Sequence, residues 1–185
     1  MESKMVVKKN GDKHWLNENG ELHREGDLPA IETANGSKKW YSNGQLHRKG
    51  DLPSVEWSDG SKNWYRDGKR HRDGGLPAVE ADGYKSWWVN DQIHRDGDLP
   101  AIEYADGSKQ WWVNGEPHRD GGLPAIIDAD GTKEWCMNGK LHREDGPAIV
   151  NSDGSKEWWL NGVRQPDIPV ETPSGKKKAG LSPTF

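Results

Sequence analysis

The stretch PAIEYADGSKQWWVNGEPHR, residues 100–119, decides the fold. It contains two turn dipeptides, Asp106-Gly107 and Asn114-Gly115, and strand-forming residues flank each of them. Such dipeptides supply the two positive φ angles of a type I′ hairpin turn. No part of the sequence shows the apolar spacing and end caps of a helix. The stretch therefore predicts an antiparallel meander of short strands.

The same pattern recurs along the chain. Stretches related to the octet HRDGGLPA at position 118 also begin at positions 23, 47, 71, 94 and 142, the last with seven residues, in steps of 23 or 24 residues. Self-similarity at a fixed period of this size marks a stacked repeat array. We expect an all-β, elongated array of about six to seven antiparallel β-hairpin repeats. The six full repeats are numbered 1 to 6 from these starting positions.

The array has recognisable ends. A half repeat over residues 5–22 precedes repeat 1, and we assign residues 1–166 to the array. After repeat 6, Gln165-Pro166 stands where His-Arg is expected, and proline cannot donate to a further strand ladder. Residues 167–185 have the composition of a C-terminal tail.

Composition limits the classes of function. Hydrophobic residues are only 31% of the chain, but 11 regularly spaced tryptophans can each bury about 200 Å². The net charge of −4 disfavours nucleic acid as a ligand. A single cysteine, Cys136, excludes an intramolecular disulfide framework. With neither a signal-peptide core nor an apolar run of membrane-spanning length, we expect a soluble intracellular protein that is neither secreted nor transmembrane.

Two-residue turns also predict the pairing register. Around the first turn Ile102 lies opposite Trp111 and Glu103 opposite Gln110. Across the second turn Trp111 lies opposite His118. Side chains alternate between the two faces of a strand, so Trp111, Ile102 and His118 share one face.

The same register can be carried to the irregular repeats. It places Val6 opposite Trp15 in the half repeat. Repeat 3 is one residue short, and a three-residue loop over 82–84 restores the register there. In repeat 5 the register places Glu134 opposite Arg143, a pairing of opposite charges that stabilises adjacent strands.

Two aromatic columns follow. The first tryptophan of each pair is constant within the chain and has aliphatic partners, so we predict that it forms the structural core: Trp15, Trp40, Trp64, Trp87, Trp111, Trp135 and Trp158. The second position varies, with Cys136 in repeat 5, and we predict a partly exposed binding column: Tyr41, Tyr65, Trp88, Trp112 and Trp159. A second small core or an interface is the alternative interpretation.

A third column is basic. Its members follow the histidine of each repeat: Arg24, Arg48, Arg72, Arg95, Arg119 and Arg143. They could bind phosphates on lipid or nucleic acid. Glutamates in the same row favour internal pairing instead. We predict that partner contacts use the aromatic column and the charged rows.

Catalytic and metal chemistry find little support. His118-Arg119-Asp120 matches the first residues of a kinase catalytic loop, but the sequence has neither a glycine-rich phosphate loop followed by a strand lysine nor Asp-Phe-Gly. Equivalent histidines of neighbouring repeats lie about 10 Å apart at ordinary strand spacing, too far to share a zinc ion. The Asp-Gly dipeptides lack the Asp-x-Asp-x-Asp-Gly spacing of a calcium loop. We predict no enzymatic activity and no cofactor.

The repeat resembles a MORN repeat. The stretch DGSKQWWVNGEPHRDGGLPA, residues 106–125, has that family's order of Asp-Gly turn, aromatic-rich strand, second glycine turn and histidine step. The similarity covers roughly residues 5–165. Lys-x-Trp-Trp replaces the usual Tyr-x-Gly-x-Trp, and His-Arg replaces His-Gly. This variant is similar to repeats found in giant viruses of the marseillevirus type.

The resemblance implies a non-enzymatic scaffold for protein partners. Such proteins are often dimeric, and some have been linked to anionic phospholipids. A viral member would act in the host cytoplasm or in the virion. Two other functions stay open: a carbohydrate- or choline-binding tryptophan-repeat module, and a phosphate-binding ladder for anionic lipid or nucleic acid.

Overall fold

The computed structural model describes residues 3–166, so the predicted tail over 167–185 lies outside the described residues. A fourteen-stranded antiparallel sheet runs through the array, and six separate two-stranded hairpins accompany it. The described part of the chain offers no helix that could cross a lipid bilayer. The predicted all-β array of hairpin repeats is confirmed.

Each full repeat contributes two strands to the sheet and one hairpin. The sheet strands, in spatial order, are β1 (Lys4–Val7), β2 (Lys13–Leu16), β3 (Ile31–Glu32), β4 (Lys38–Lys39), β7 (Val55–Glu56), β8 (Lys62–Asn63), β11 (Val79–Ala81), β12 (Tyr84–Ser86), β15 (Ile102–Tyr104), β16 (Lys109–Gln110), β19 (Ile126–Ile127), β20 (Lys133–Glu134), β23 (Ile149–Val150) and β24 (Lys156–Glu157). The hairpins are β5 (Tyr41–Ser42) with β6 (Gln45–Leu46), β9 (Tyr65–Arg66) with β10 (Lys69–Arg70), β13 (Trp88–Val89) with β14 (Gln92–Ile93), β17 (Trp112–Val113) with β18 (Glu116–Pro117), β21 (Cys136–Met137) with β22 (Lys140–Leu141), and β25 (Trp159–Leu160) with β26 (Val163–Arg164).

The hairpin turns adopt the predicted geometry. Asn114 and Gly115 both have positive φ, 51° and 83°, as a type I′ turn requires. Trp112 then pairs with Pro117 in β17 and β18. The backbone N–H of His118 donates to the carbonyl of Trp111 at 3.0 Å, so the predicted register across this turn is confirmed.

The turns inside the sheet are one residue longer than predicted. The Tyr104 N–H donates to the Ser108 carbonyl at 3.0 Å, and the Gly107 N–H donates back to the Tyr104 carbonyl at 3.1 Å. These bonds enclose a three-residue loop over 105–107, with Gly107 at φ 96°, the geometry of a type I turn with a bulge. The Asp106 carboxylate accepts the Ser108 N–H at 2.8 Å, which stabilises the longer loop.

The predicted register inside the sheet is therefore wrong by one residue. Ile102 lies opposite Gln110, and Glu103 lies opposite Lys109. Trp111 instead donates its N–H to the carbonyl of Ala125 in the next repeat, at 2.7 Å.

The half repeat shows the same shift. Met5 and not Val6 lies opposite Trp15. The Lys8 N–H donates to the Asp12 carbonyl at 2.8 Å, which encloses a three-residue loop here as well.

Repeat 3 also reverses the prediction. Its turn contains only Asp82 and Gly83, because Ala81 pairs directly with Tyr84. The predicted three-residue loop over 82–84 is wrong. The residue missing from this repeat is the bulge residue that the other repeats contain, so Val79 pairs with Ser86 as Ile102 pairs with Gln110.

The core is narrow and lies along the array axis. Each full repeat has one residue with no exposed surface: Ala30, Ser54, Ala78, Ala101, Ala125 and Ala148. The carbonyl of each accepts the N–H of the preceding repeat's tryptophan, or of Trp15 in the case of Ala30. Only a small side chain occurs at this point, which places the tryptophan backbone and its neighbouring strand in the same position in every repeat.

Candidate functional site

The first tryptophans are held by the loops that precede them. Trp40, Trp64, Trp87 and Trp111 are buried, whereas Trp15, Trp135 and Trp158 are half-buried. The Trp111 indole N–H donates to the Asp98 carbonyl at 3.1 Å, and the tryptophans of repeats 1, 2, 3 and 5 make the equivalent bond. The indole N–H is thus satisfied by loop backbone in five consecutive repeats.

The arginine column covers these tryptophans. The guanidinium carbon of Arg119 lies 3.8 Å from the centroid of the Trp111 ring, a cation–π contact that recurs in all six repeats at 3.7–4.1 Å. The six arginine side chains are only 11–23% exposed. The predicted arginine residues therefore lie largely beneath the surface.

Each of the first four arginines forms a salt bridge with the glutamate eight residues later. The distances are 3.1 Å for Arg24–Glu32 and Arg48–Glu56, and 2.9 Å for Arg72–Glu80 and Arg95–Glu103. The array is thus built on periodic salt bridges within repeats, in agreement with the predicted internal pairing of this column.

The predicted pairing in repeat 5 is wrong. Arg143 contacts Asp145 at 2.8 Å, and Glu134 lies opposite Ile126 and Ile149 because of the shifted register. Burial, with the negative charge of Asp128 nearby, raises the pKa of Glu134 above its ordinary value.

A second set of arginine contacts links neighbouring repeats. Arg72 donates from Nε and Nη2 to the two carboxylate oxygens of Asp51, both at 2.7 Å, and Arg48–Asp27 and Arg119–Asp98 repeat this bidentate geometry. We call this contact the aspartate clamp. The hydrogen bonds from arginine lower the pKa of Asp27, Asp51 and Asp98.

Two positions of the clamp hold glycine instead of aspartate. Gly75 stands where the partner of Arg95 would lie, and Gly122 where the partner of Arg143 would lie. Among the described residues, the buried Nε of Arg95 has no hydrogen-bond partner. Arg143 turns to Asp145 of its own loop. The clamp is therefore absent between repeats 3 and 4 and between repeats 5 and 6.

The repeated histidines link the start of each repeat to the hairpin turn of the same repeat. Nδ1 of His94 accepts the backbone N–H of Asn114 at 3.2 Å, and Nε2 faces Asp96 at 3.0 Å. The same backbone bond occurs at all six positions, at 3.1–3.3 Å. These contacts fix the next hairpin turn. Within residues 3–166 no group of three or more His, Cys, Asp or Glu side chains is placed to hold a metal ion.

The predicted binding column is half-buried. Trp88 and Trp112 donate their indole N–H groups to Ser86 and Gln110 at 2.7 and 3.0 Å. Trp159 donates to Glu157 at 3.1 Å in the same way. Tyr41 and Tyr65 are also half-buried, and Cys136 is buried. The column thus combines internal packing with a partly exposed edge.

Arg70 is inserted into this column. Its guanidinium carbon lies 5.4 Å from the Tyr65 ring centroid and 4.5 Å from that of Trp88. Nη2 donates to the Tyr65 hydroxyl at 2.9 Å. Arg70 therefore joins the aromatic side chains of repeats 2 and 3 into one stack.

Open grooves lie between successive loops. Four of them, here the inter-repeat grooves, have volumes of about 490, 630, 250 and 520 Å³ between repeats 1/2, 2/3, 3/4 and 5/6. Each is lined by a first tryptophan, its neighbour in the second column and the arginines of both repeats. The structure thus brings Tyr41, Tyr65 and Trp88 to the grooves, but Trp112 and Trp159 do not line these four.

Sequence reasoning missed a further set of exposed residues. One leucine in each of five successive loops is 43–48% exposed: Leu28, Leu52, Leu76, Leu99 and Leu123. We call this set the leucine ladder. Leu76 lines two consecutive grooves, with Leu52 in one and Leu99 in the other. The signal was present in the sequence, since a leucine at a fixed position among Gly, Asp and Pro has no strand to pack in.

Comparison with known proteins adds no relative. No protein-family model matches the chain, and no curated protein sequence matches it significantly. What the chain does must therefore be argued from the grooves and the leucine ladder.

Proposed function

We propose that this chain is a non-enzymatic repeat scaffold that mediates protein–protein interaction. The observation that carries the proposal is the leucine ladder, which exposes one large apolar side chain at the same point of five successive repeats. Single exposed leucines are ordinary on protein surfaces, but a repeated row beside open grooves is typical of an interaction surface. The motif similarity to MORN repeats supports the same function, and the Trp-Trp, His-Arg variant suggests a viral protein acting in the host cell or virion.

The arginine geometry favours a protein partner over a phosphate ligand. A ladder that binds lipid or nucleic-acid phosphates needs exposed, unpaired cations. Here each guanidinium stacks on tryptophan and donates to carboxylate or carbonyl oxygens, for example Arg72 to Asp51, Glu80 and the Pro77 carbonyl. The outward groups of the loops are mainly leucines and carboxylates, and Lys49 of repeat 2 is an exception.

Affinity capture from an extract of cells that express the chain, followed by mass spectrometry, tests this proposal. We expect a defined set of proteins on the wild-type chain and their loss from the variant Leu52→Ser/Leu76→Ser/Leu99→Ser. Val113→Ser/Leu160→Ser is the matched control, because both side chains are 38% exposed on hairpins and line none of the four grooves. Enrichment of no protein over empty resin would contradict the scaffold function.

The second column is tested separately by Trp88→Ala combined with Trp112→Ala. If its exposed edge contributes to the interaction surface, this variant loses captured proteins while circular dichroism still reports the folded array. Capture identical to wild type would restrict the surface to the leucine ladder.

A further inference from the structure

We propose that the leucine ladder binds a peptide segment of its partner in the polyproline II conformation, with an apolar residue at every third position and basic residues between them. This inference rests on the proposed function and specifies the partner's chemistry. It follows from three features of the described residues: the spacing of the leucines, the charge around them and the neutralisation of the nearby arginines.

The spacing favours an extended segment. Each repeat adds two strands to the sheet at a spacing of about 4.8 Å, so equivalent leucines are separated by about 9.6 Å. Three residues of polyproline II chain span about 9.3 Å, and its three residues per turn bring every third side chain to the same side. Side chains of a β-strand alternate between two faces, so every third one does not lie on one side. Seven residues of a helix span about 10.5 Å, and this larger mismatch accumulates over successive repeats. Leu52, Leu76 and Leu99 can therefore meet every third side chain of one segment in the polyproline II conformation.

The charge beside the leucines is negative. An acidic residue follows the His-Arg pair in five of the six loops, and Lys49 stands at this position in repeat 2. The carboxylates of Asp96 and Asp120 are 96% exposed and those of Asp73 and Glu144 74% and 84% exposed. All four of these acids line grooves, Asp73 and Asp96 beside Leu76 and the other two beside Leu123. Basic side chains between the apolar residues of a partner would lie against this row.

The arginines of the same loops do not cancel this field at the surface. Arg72 and Arg95 are 11% and 18% exposed and each is paired with a glutamate on the sheet. Arg72 is also held by the clamp from Asp51. In the groove between repeats 2 and 3 two exposed cations, Lys49 and Arg66, offset the carboxylates, and Arg66 pairs with Asp73 at 2.6 Å. At the grooves between repeats 3 and 4 and between repeats 5 and 6 the accessible charge belongs mainly to carboxylates, and there the surface selects cations.

Fluorescence anisotropy with a synthetic probe tests the proposal. The probe is a labelled peptide of four Leu-Lys-Lys triplets ending in leucine, titrated with the full chain. We expect saturable binding that weakens at least tenfold with Leu52→Ser/Leu76→Ser/Leu99→Ser and weakens as salt is raised. Two control peptides replace every lysine by glutamate or gather the leucines at one end, and both should bind at least tenfold more weakly.

A charge variant guards against loss of fold. Asp96→Asn/Asp120→Asn keeps an acceptor for Nε2 of His94 and His118, at 3.0 and 3.1 Å in the wild type, but removes two negative charges. We expect it to melt like wild type and to bind the Leu-Lys-Lys probe several-fold more weakly. Equal binding of this probe by the wild type and the leucine variant, or no binding by the wild type, overturns the proposal. In either case proteins captured in the previous experiment would leave the scaffold function standing, so the two failures are distinguishable.

Discussion

At the scale of single residues, the aspartate clamp shows how one side chain determines a contact between repeats. Asp27, Asp51 and Asp98 each engage the arginine of the next repeat, and Gly75 leaves Arg95 Nε buried without a partner. In the sequence, the clamp position is seen as a site that holds either Asp or Gly. Its role could not be predicted, because the arginine that the aspartate binds lies 21 residues away in the chain.

Gly75→Asp is expected to stabilise the array. The position has φ 68°, close to the 54° of Asp27 and the 53° of Asp98, and a Cβ there meets no atom within 4 Å. A new bond to a buried arginine donor, discounted for the partial exposure of the carboxylate, should add about 0.5–1 kcal/mol to the free energy of unfolding. Urea denaturation measures this gain. Gly75→Ala, which lacks the carboxylate and strains the backbone, should give no gain; equal stability of the two variants would contradict the clamp.

Acid should weaken the clamp. The pKa of Asp51 is lower in the folded chain than in the unfolded chain because of its hydrogen bonds with Arg72. A lowered folded pKa means that this stabilisation is complete above the unfolded pKa and is lost as the pH falls through the folded pKa. Asp51→Asn should therefore melt below wild type at pH 7, and the difference should shrink as the pH falls below the unfolded pKa and through the folded one. A melting difference that does not change with pH would show that the ion pair does not contribute.

Cys136 is expected to be chemically inert in the folded chain. Burial and the nearby Glu134 raise the pKa of its thiol to about 11, and the thiolate is the reactive form. Reaction with a disulfide reagent at pH 8 should be slow in buffer and fast in denaturing urea. Rapid labelling of the folded chain would mean that the second column opens readily.

At the scale of structural elements, the two kinds of turn explain what the sequence could predict. Asn114-Gly115 and Asp106-Gly107 look alike locally, yet only the former is a two-residue turn. The Asn114 N–H donates to His94, 20 residues earlier at the start of the same repeat, whereas the Asp106 carboxylate accepts the Ser108 N–H within its own loop. The number, order and register of the hairpins followed from the local sequence pattern. The bulge in the turns of the sheet, and the one-residue shift in register that it causes, depend on side-chain contacts such as that of Asp106.

The smallest core position is expected to tolerate serine but not a larger side chain. Ala101 has no exposed surface, and Ser54 fills the equivalent position of repeat 2 with its hydroxyl hydrogen-bonded to the Tyr65 backbone. Ala101→Leu should cost about 1–3 kcal/mol of unfolding free energy through overpacking. Ala101→Ser should cost clearly less in the same urea titration. A tolerated leucine would show that the strands separate easily at this point.

At the scale of the whole molecule, the period and the tryptophan pattern were sufficient to predict the array. They were not sufficient for the candidate site. To predict the leucine ladder, one must know that the loops align at one edge of the array. To predict the burial of the arginines, one must know that tryptophan and carboxylates cover the guanidinium groups. Both depend on how neighbouring repeats stack, which no single 24-residue period contains.

Hydrogen exchange should detect the uneven connection of repeats. The amides of Trp64 and Trp87 both donate across a repeat boundary, to Ala78 and Ala101 at 2.8 Å. The boundary between repeats 2 and 3 carries the clamp of Arg72, whereas that between repeats 3 and 4 has Gly75 in place of the aspartate. We expect the Trp87 amide to exchange faster than that of Trp64, and Gly75→Asp to reduce the difference. Equal exchange in the wild type would contradict this view.

The glycines at the clamp position divide the repeat array into segments that are joined with unequal strength. Repeats 1 to 3 are joined by two clamps, repeats 4 and 5 by one, and repeat 6 is attached without one. Under a pulling force from a partner, the repeats should separate first at the boundaries that contain Gly75 and Gly122. The repeats joined by clamps should stay folded. The two glycines would then determine where the array separates under force, and exchanging one of them for aspartate would move the point of separation.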